Sequence, residues 1–293
     1  MSSLRVTIGG ITLRISASGE LPAGFIAERM TRFLEPEDTS TIPSIDLTYI
    51  NEDPSGLPLG PLLYDPGSIW RLHRSATSDG YAAVISYSDG GALTSRACLL
   101  EVDPCWTRCR MTELSHAAHW SSLLNLGAGE LLVRTRIIHE QGIVFHATAI
   151  DDGGRGILMV GHSGAGKSTQ SLTWQKQPDT VVLSDDRIAV RLESAGARAY
   201  GSPWGGTADI VSAASVNLNA ILILEQAPDN ALIPMDALNA ISMLAVRSFM
   251  PYWSPELVET ALDTLQTLVA TVPVYLFRCR PDDSVIPVVR SIL

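Results

Sequence analysis

Gly156-Ile157-Leu158-Met159-Val160-Gly161-His162-Ser163-Gly164-Ala165-Gly166-Lys167-Ser168-Thr169 is the stretch whose reading decides the fold. Its first residues form an apolar run of strand length. Gly161 to Ser168 then fits G-x-x-x-x-G-K-[ST], the phosphate-binding loop, in the place where such a loop works: after a buried strand and before a helix expected to begin near Lys167. Glycines let the backbone take turns that a side chain would block, so successive N–H groups cradle phosphate oxygens at the positive end of the helix. The nucleotide-binding set expected on this basis is Gly161, His162, Ser163, Gly164, Ala165, Gly166, Lys167, Ser168 and Thr169. Lys167 would reach the β- and γ-phosphates, and the Ser168 hydroxyl would ligate Mg²⁺. The competing reading is a Gly-rich turn that happens to contain a lysine. A chain of this length matches the bare pattern by accident roughly once in 100.

Composition narrows the partners. With 293 residues, 46% of them hydrophobic, the chain can bury a large core as one large domain or two modest ones. A formal net charge of -10 and the absence of any Lys/Arg run argue against nucleic acid and anionic membranes as partners, so the positive charge a phosphate needs must be local. Met1-Ser2-Ser3-Leu4-Arg5-Val6 does not read as a signal peptide, and no run approaches the roughly 20 apolar residues of a membrane span. A cytoplasmic location is expected. Four cysteines (Cys98, Cys105, Cys109, Cys279) in so long a chain do not suggest a disulfide framework.

Upstream of the loop, Ile143 to Ile150 reads as a strand and Asp151 to Gly156 as a turn. From Ser115 to Glu140 the period is helical, with Trp120, Leu123, Leu124, Leu131, Leu132, Ile137 and Ile138 as the apolar surface, Ser115 as a cap and a break at Gly127 and Gly129. Residues 1–115 read as β-rich. Leu4 to Ile8 and Ile11 to Ile15 flank Gly9-Gly10 as a hairpin, a short helix is expected from Ala23 to Phe33, and Trp70 to Leu114 predicts an antiparallel meander. Cys105, Cys109, His116 and His119 hint at zinc, but the spacing does not match a zinc finger and ordinary packing is the better reading. Downstream, Val181 to Asp186 reads as a strand ending in two carboxylates, followed by a hairpin around residues 194–197. A strand is expected at Ile221 to Glu225, helices at about 235–247 and 255–270, a strand at Val272 to Cys279 and a helical tail from Asp283.

Around the loop, Asp185 and Asp186 can hold Mg²⁺ and accept a hydroxyl proton. His146, in the strand before the loop strand, can sit beside them in the sheet, and Arg187 can pair with phosphate or serve as their counter-ion. Phe145-His146-Ala147, Gly161 to Ser168 and Leu183-Ser184-Asp185-Asp186-Arg187 together resemble the catalytic core of the HPr kinase/phosphorylase-like kinases, which share a nucleotide-binding core with ATP-dependent phosphoenolpyruvate carboxykinases. The resemblance extends well over roughly residues 140–210. It implies an α/β (α+β) fold, a P-loop-containing core with a mixed sheet over 116–293; the β-rich region over 1–115, read from its own alternation, is not covered by the HPr kinase itself. The resemblance also implies ATP and Mg²⁺, with Asp185 as general base assisted by His146, and Asp186 with Ser168 on the metal.

Two departures redirect the acceptor. Thr169 stands where the bifunctional HPr enzymes have Glu, and Tyr200-Gly201-Ser202-Pro203-Trp204-Gly205-Gly206-Thr207 looks like the HPr-kinase-related proteins of lasso and other ribosomal peptide biosynthesis. The function expected is therefore an ATP-dependent kinase acting on a serine-type hydroxyl of a peptide or small protein, with the Trp204 loop bordering the acceptor site. The enzymes it resembles are often oligomers, so a homo-oligomer is an open expectation. A small-molecule kinase on the same core and a non-catalytic nucleotide-binding regulator are the alternatives.

Overall fold

The computed structural model describes residues 3–17, 19–22, 24–35, 43–51, 56–57, 59–89, 92–114 and 124–293. The protein is mixed α/β, with two mixed sheets and few helices, and divides into two compact units, Met1–Arg136 and Ile137–Leu293. The division thus falls inside the helical segment, Ser115 to Glu140, that the sequence reading placed at the start of the second region.

The first unit holds β1 (Ser3–Ile8), β2 (Ile11–Ala17), β3 (Ser44–Ile50), β4 (Leu59–Tyr64), β5 (Trp70–Ser75), β6 (Tyr81–Asp89), β7 (Ala92–Val102), β8 (Arg108–Glu113) and α1 (Gly129–Arg136). Its sheet order is β1-β2-β3-β8-β7-β6-β5-β4. The β1–β2 hairpin turns at Gly9 and Gly10, both at positive φ, and places Val6, Leu13 and Ile15 in the core by alternation. From β4 to β8 the strands form an antiparallel meander, whereas β3 pairs in parallel with both β2 and β8. Local alternation carries no information about such non-local partners, and the parallel pairs were not anticipated. The helix expected up to Phe33 is a 3-10 turn, Glu28–Phe33, while Ala23 lies outside the described residues. Ser115, His116, His119, Trp120 and Leu123 also lie outside them. Cys105 is exposed and Cys109 buried, and no metal-holding group of three or more His, Cys, Asp or Glu occurs among the described residues.

The second unit holds β9 (Gly142–Asp152), β10 (Arg155–Val160), α2 (Lys167–Gln175), β11 (Thr180–Ser184), β12 (Arg187–Glu193), β13 (Gly196–Tyr200), β14 (Ser215–Gln226), β15 (Ala231–Pro234), α3 (Ala237–Ala245), α4 (Pro255–Thr271), β16 (Val274–Cys279) and α5 (Val285–Arg290). The apolar residues of β10 are buried throughout, as suits a strand flanked on both sides by antiparallel β9 and parallel β14. Because β14 also pairs with β13, the path β10-β9-β12-β13-β14 returns to its start. On the core side Ile150, Ile157, Met159 and Leu222 pack with Trp174 of α2, Phe277 of β16 and Val285 and Val289 of α5. Each such side chain contributes about 1.5–3 kcal/mol by burial. Among the described residues no helix is long and apolar enough to cross a membrane.

β11 and β12 are nearly one strand. Both run antiparallel to β9, Ser184 opposite Ala149 and Arg187 opposite His146, with a bulge after Val182 and an interruption only at Asp185-Asp186. A β-bulge re-aims side chains at such points.

Asp152 ties the C-terminal helix to this sheet. Only 3% exposed, it accepts hydrogen bonds from Arg290 Nη2 at 2.6 Å, Arg290 Nε at 3.0 Å and Arg155 Nη2 at 2.5 Å. The Arg290 hydrogen bonds, foremost, hold its carboxyl below the usual carboxylate range despite burial. A depressed acid contributes stability above its unfolded pKa and loses it as pH falls through the folded value. An Asp152→Ala variant is expected to lose about 3 kcal/mol in urea unfolding at neutral pH, and less of that difference at pH near 3. An unchanged midpoint at neutral pH would remove the Asp152 anchor.

Candidate functional site

Gly161 to Gly166 connect β10 to α2, so the loop sits at the strand-to-helix junction that its sequence requires. Gly164 (φ +81°) and Gly166 (φ +103°) take the left-handed region that side chains rarely adopt, which explains glycine at both positions. Lys167, only 7% exposed, donates from Nζ to the carbonyls of Gly161 (2.9 Å) and His162 (3.1 Å). From the end of β14, Gln226 Nε2 donates to Gly164 O at 2.7 Å and braces the loop. His162 points back on its own turn, its Nδ1 2.6 Å from Ser163 O.

A run of buried hydroxyls fixes α2 against the Asp pair. Ser171 Oγ donates to Thr148 Oγ1 at 2.9 Å and lies 3.0 Å from Lys167 O, while Thr148 Oγ1 donates to Ser184 O at 2.8 Å. Helix, β9 and the end of β11 are thereby locked together. Across the same strands, Ala147 N donates to Asp186 O at 3.0 Å.

The two aspartates have different surroundings. Asp185, 2% exposed, accepts backbone N–H groups from Gly206 (2.8 Å), Ala208 (2.7 Å) and Ile210 (3.3 Å). It organises the loop after β13, where a Cβ on Gly206 would come within 3.0 Å of its carboxylate. Asp186 instead meets side chains. Its Oδ1 lies 3.2 Å from His146 Nδ1, and its Oδ2 accepts from Arg187 Nη1. Arg187 also lies 3.3 Å from His146 Nδ1 and stacks over the Phe249 ring at 4.6 Å. The sequence reading expected His146 beside the Asp pair and gave Asp185 the role of base. The structure sets His146 against Asp186 and occupies Asp185 with backbone donors.

An Asp185→Ala variant would leave three backbone donors without their acceptor. It is expected to lose about 3 kcal/mol in urea unfolding, with faster amide exchange at Gly206 and Ala208. Wild-type exchange at those amides would show that the loop stands without it.

His146, Ser163, Lys167, Ser168, Thr169, Asp185, Asp186, Gly206 and Thr207 all line one cleft of about 670 Å³, with Gln226 at its side. Trp204 is buried under its loop, 7% exposed, and the loop reaches the cleft through Gly206 and Thr207. One residue escaped the sequence reading. Arg247, just past α3, accepts from His146 N at 2.9 Å through its carbonyl and acts electrostatically on Lys167. Its Nη1 donates to Met243 O at 2.7 Å, its Nε is buried without a partner, and among the described residues no carboxylate pairs with it. Desolvation lowers its pKa. Lys167 is also held below its usual value, first by desolvation and further by Arg247 and Arg187, while Asp186 opposes the shift. Three cations therefore converge where Asp186 is the carboxylate not committed to backbone donors. This is the local positive charge that an acidic chain would need to hold an anion.

The two sheets and the glycine loop between β10 and α2 define a mixed α/β protein of two compact units with an anion-receptive cleft in the second. The family model described as SynChlorMet cassette protein ScmC matches residues 109–282, which take in every cleft residue named above. The chain belongs to the ScmC family. No curated protein matches it at a significant level.

Proposed function

We propose that this protein is an ATP- and Mg²⁺-dependent kinase with an HPr-kinase-like core, which transfers the γ-phosphoryl group to a serine-type hydroxyl of a peptide or small protein. The observation that carries this reading is the convergence on one cleft of the loop lysine, Lys167, with His146 and Asp186, the latter paired with Arg187. A nucleotide-binding module can use one carboxylate for Mg²⁺, but it needs no general base, and a second carboxylate oriented by His146 supplies one.

In this reading Lys167 exchanges its two loop carbonyls for phosphate oxygens, and Arg187 and Arg247 neutralise charge on the transferring group. Asp186 accepts the acceptor's hydroxyl proton, the hydroxyl oxygen bonds to the γ-phosphorus, and the bond to the β,γ-bridging oxygen breaks to leave ADP. His146 orients Asp186, and Asp185 holds the Gly206–Ile210 loop in place. Ser168 and one carboxylate of the pair suit Mg²⁺, which is commonly held by one or two protein oxygens together with substrate phosphates. Bound there, the ion would neutralise phosphate charge. Thr207 and Gly206 form the wall nearest the acceptor.

The test is transfer from γ-labelled ATP with Mg²⁺ into free serine, short Ser-containing peptides and a small carrier protein. Label in a peptide or protein is expected. Label only in a small molecule would replace the acceptor class, and ATP binding with no labelled product would favour a nucleotide-binding regulator.

A further inference from the structure

Among the described residues, the hydroxyl side chains that line the phosphate cleft are those of Ser163, Ser168, Thr169 and Thr207. The first three belong to the glycine loop and the first turn of α2, the side that would hold the phosphates. Thr207 stands apart from them, on the segment after β13 that Asp185 organises. The amides on either side of it, Gly206 N and Ala208 N, both bond to the Asp185 carboxylate, at 2.8 and 2.7 Å, so its backbone is held from both directions.

The same segment packs directly on the Asp pair. A Cβ on Gly206 would meet Asp186 Cβ at 2.9 Å and Asp185 Oδ2 at 3.0 Å, so only glycine lets the chain come this close. Thr207 is the next residue. It is exposed, and its hydroxyl has no hydrogen-bond partner among the described residues. Ser202, on the same segment, is by contrast buried and donates to Arg187 O at 2.8 Å. An exposed threonine turns among its staggered rotamers within nanoseconds, so Oγ1 takes up more than one direction over the cleft while its Cα stays in place.

We propose that Thr207 is a modification site of this chain: with ATP bound and no acceptor present, its hydroxyl takes the γ-phosphoryl group. The inference rests on the kinase reading and adds to it an acceptor within the same chain. Displacement at phosphorus is in line, so the acceptor oxygen must arrive opposite the β,γ-bridging oxygen, from the jaw that faces the glycine loop. That jaw carries Asp186 and Thr207. The bond from Thr207 Oγ1 to the γ-phosphorus forms, the bond from phosphorus to the bridging oxygen breaks to leave ADP, and the hydroxyl proton passes to Asp186. Thr207 thus stands where a peptide hydroxyl would enter, and the two compete for one phosphoryl group.

The test incubates the full chain with γ-labelled ATP and Mg²⁺, with and without a short Ser-containing peptide, and locates the label by tandem mass spectrometry. Without peptide, a single phosphoryl group on Thr207 is expected, at a rate per chain independent of protein concentration. Excess peptide should suppress it. Thr207→Ala loses no hydrogen bond at an exposed position, so it should fold as wild type and carry no label, whereas Thr207→Ser should keep the label. A chain that stays unlabelled without peptide, yet labels the peptide when it is added, overturns the Thr207 site and leaves the kinase reading intact. Label on another residue instead, a rate per chain that rises with protein concentration, or chain labelling that excess peptide leaves unchanged would do the same. If neither chain nor peptide gains label, both readings fall.

Discussion

Phosphate transfer from labelled ATP should fall by about a thousandfold in an Asp186→Asn variant, with ATP binding largely kept. The amide copies the shape of the carboxylate but accepts no proton and offers Arg187 and His146 no charge. Asp186 lies against both of these side chains and is within electrostatic reach of Lys167, so its loss removes the proposed base and unbalances three cations. Any change in ATP affinity should be a small tightening, because a negative charge beside the phosphates has gone. Asp185→Asn is the control. Its carboxylate is committed to Gly206, Ala208 and Ile210, so stability should drop more than the chemical step. Full transfer activity in Asp186→Asn would end the assignment, and a larger catalytic loss in Asp185→Asn than in Asp186→Asn would return the role of base to Asp185.

Lys167→Met should weaken ATP and tripolyphosphate alike by about a hundredfold, without lowering the melting temperature of the free protein. The direction follows from the lysine's surroundings. Burial foremost, with Arg247 and Arg187, holds its pKa below the usual value, so the charged form is disfavoured in the folded state. For a cation with a depressed folded pKa, that penalty is present at low pH and is relieved as pH rises through the folded value. Removing the charge removes the penalty, although two hydrogen bonds to loop carbonyls go with it. Bound phosphate reverses the balance by favouring the charged lysine, so ATP binding should take up protons at alkaline pH and weaken as pH rises through the lowered lysine pKa. The measurement is thermal melting with and without ATP over a pH series. A variant that melts well below wild type without ligand, yet keeps the ATP-induced rise, would make Lys167 a structural brace only.

The second unit was more legible in the sequence than the first. Gly161 to Ser168 names its own surroundings, because the motif works only between a buried strand and a helix, and β10 and α2 supply them. His146 could be placed near the Asp pair because neighbouring antiparallel strands leave few registers. The short edge strand β15 was missed: four residues, Ala231–Pro234, give too little alternation to distinguish from a loop. The parallel pairs of β3 were hidden for a different reason, since partner choice is made by tertiary packing rather than local pattern.

Within the site, two adjacent aspartates look alike as letters, and only the folded loop from Gly206 to Ile210 shows that one is saturated with donors. Arg247 had no local signal at all. It stands at the end of an amphipathic helix far along the chain, where a basic residue is ordinary because it suits the helix dipole.

The position of β9 between the loop strand and the interrupted β11–β12 ribbon works as a ruler. Val160, the last residue before the glycine loop, pairs with Ala147, and Ala147 N bonds to Asp186 O, so the three stand in one transverse row of the sheet. The backbone separation between phosphate loop and carboxylate is therefore two strand spacings, about 10 Å, set by hydrogen-bond pitch rather than by any flexible segment. Such a gauge moves only in whole steps. A one-residue slip along β9 would displace one jaw by about 3.3 Å and turn its side chains to the other face. Drift in the surrounding loops can thus reshape what the cleft admits while the working distance inside it stays the same.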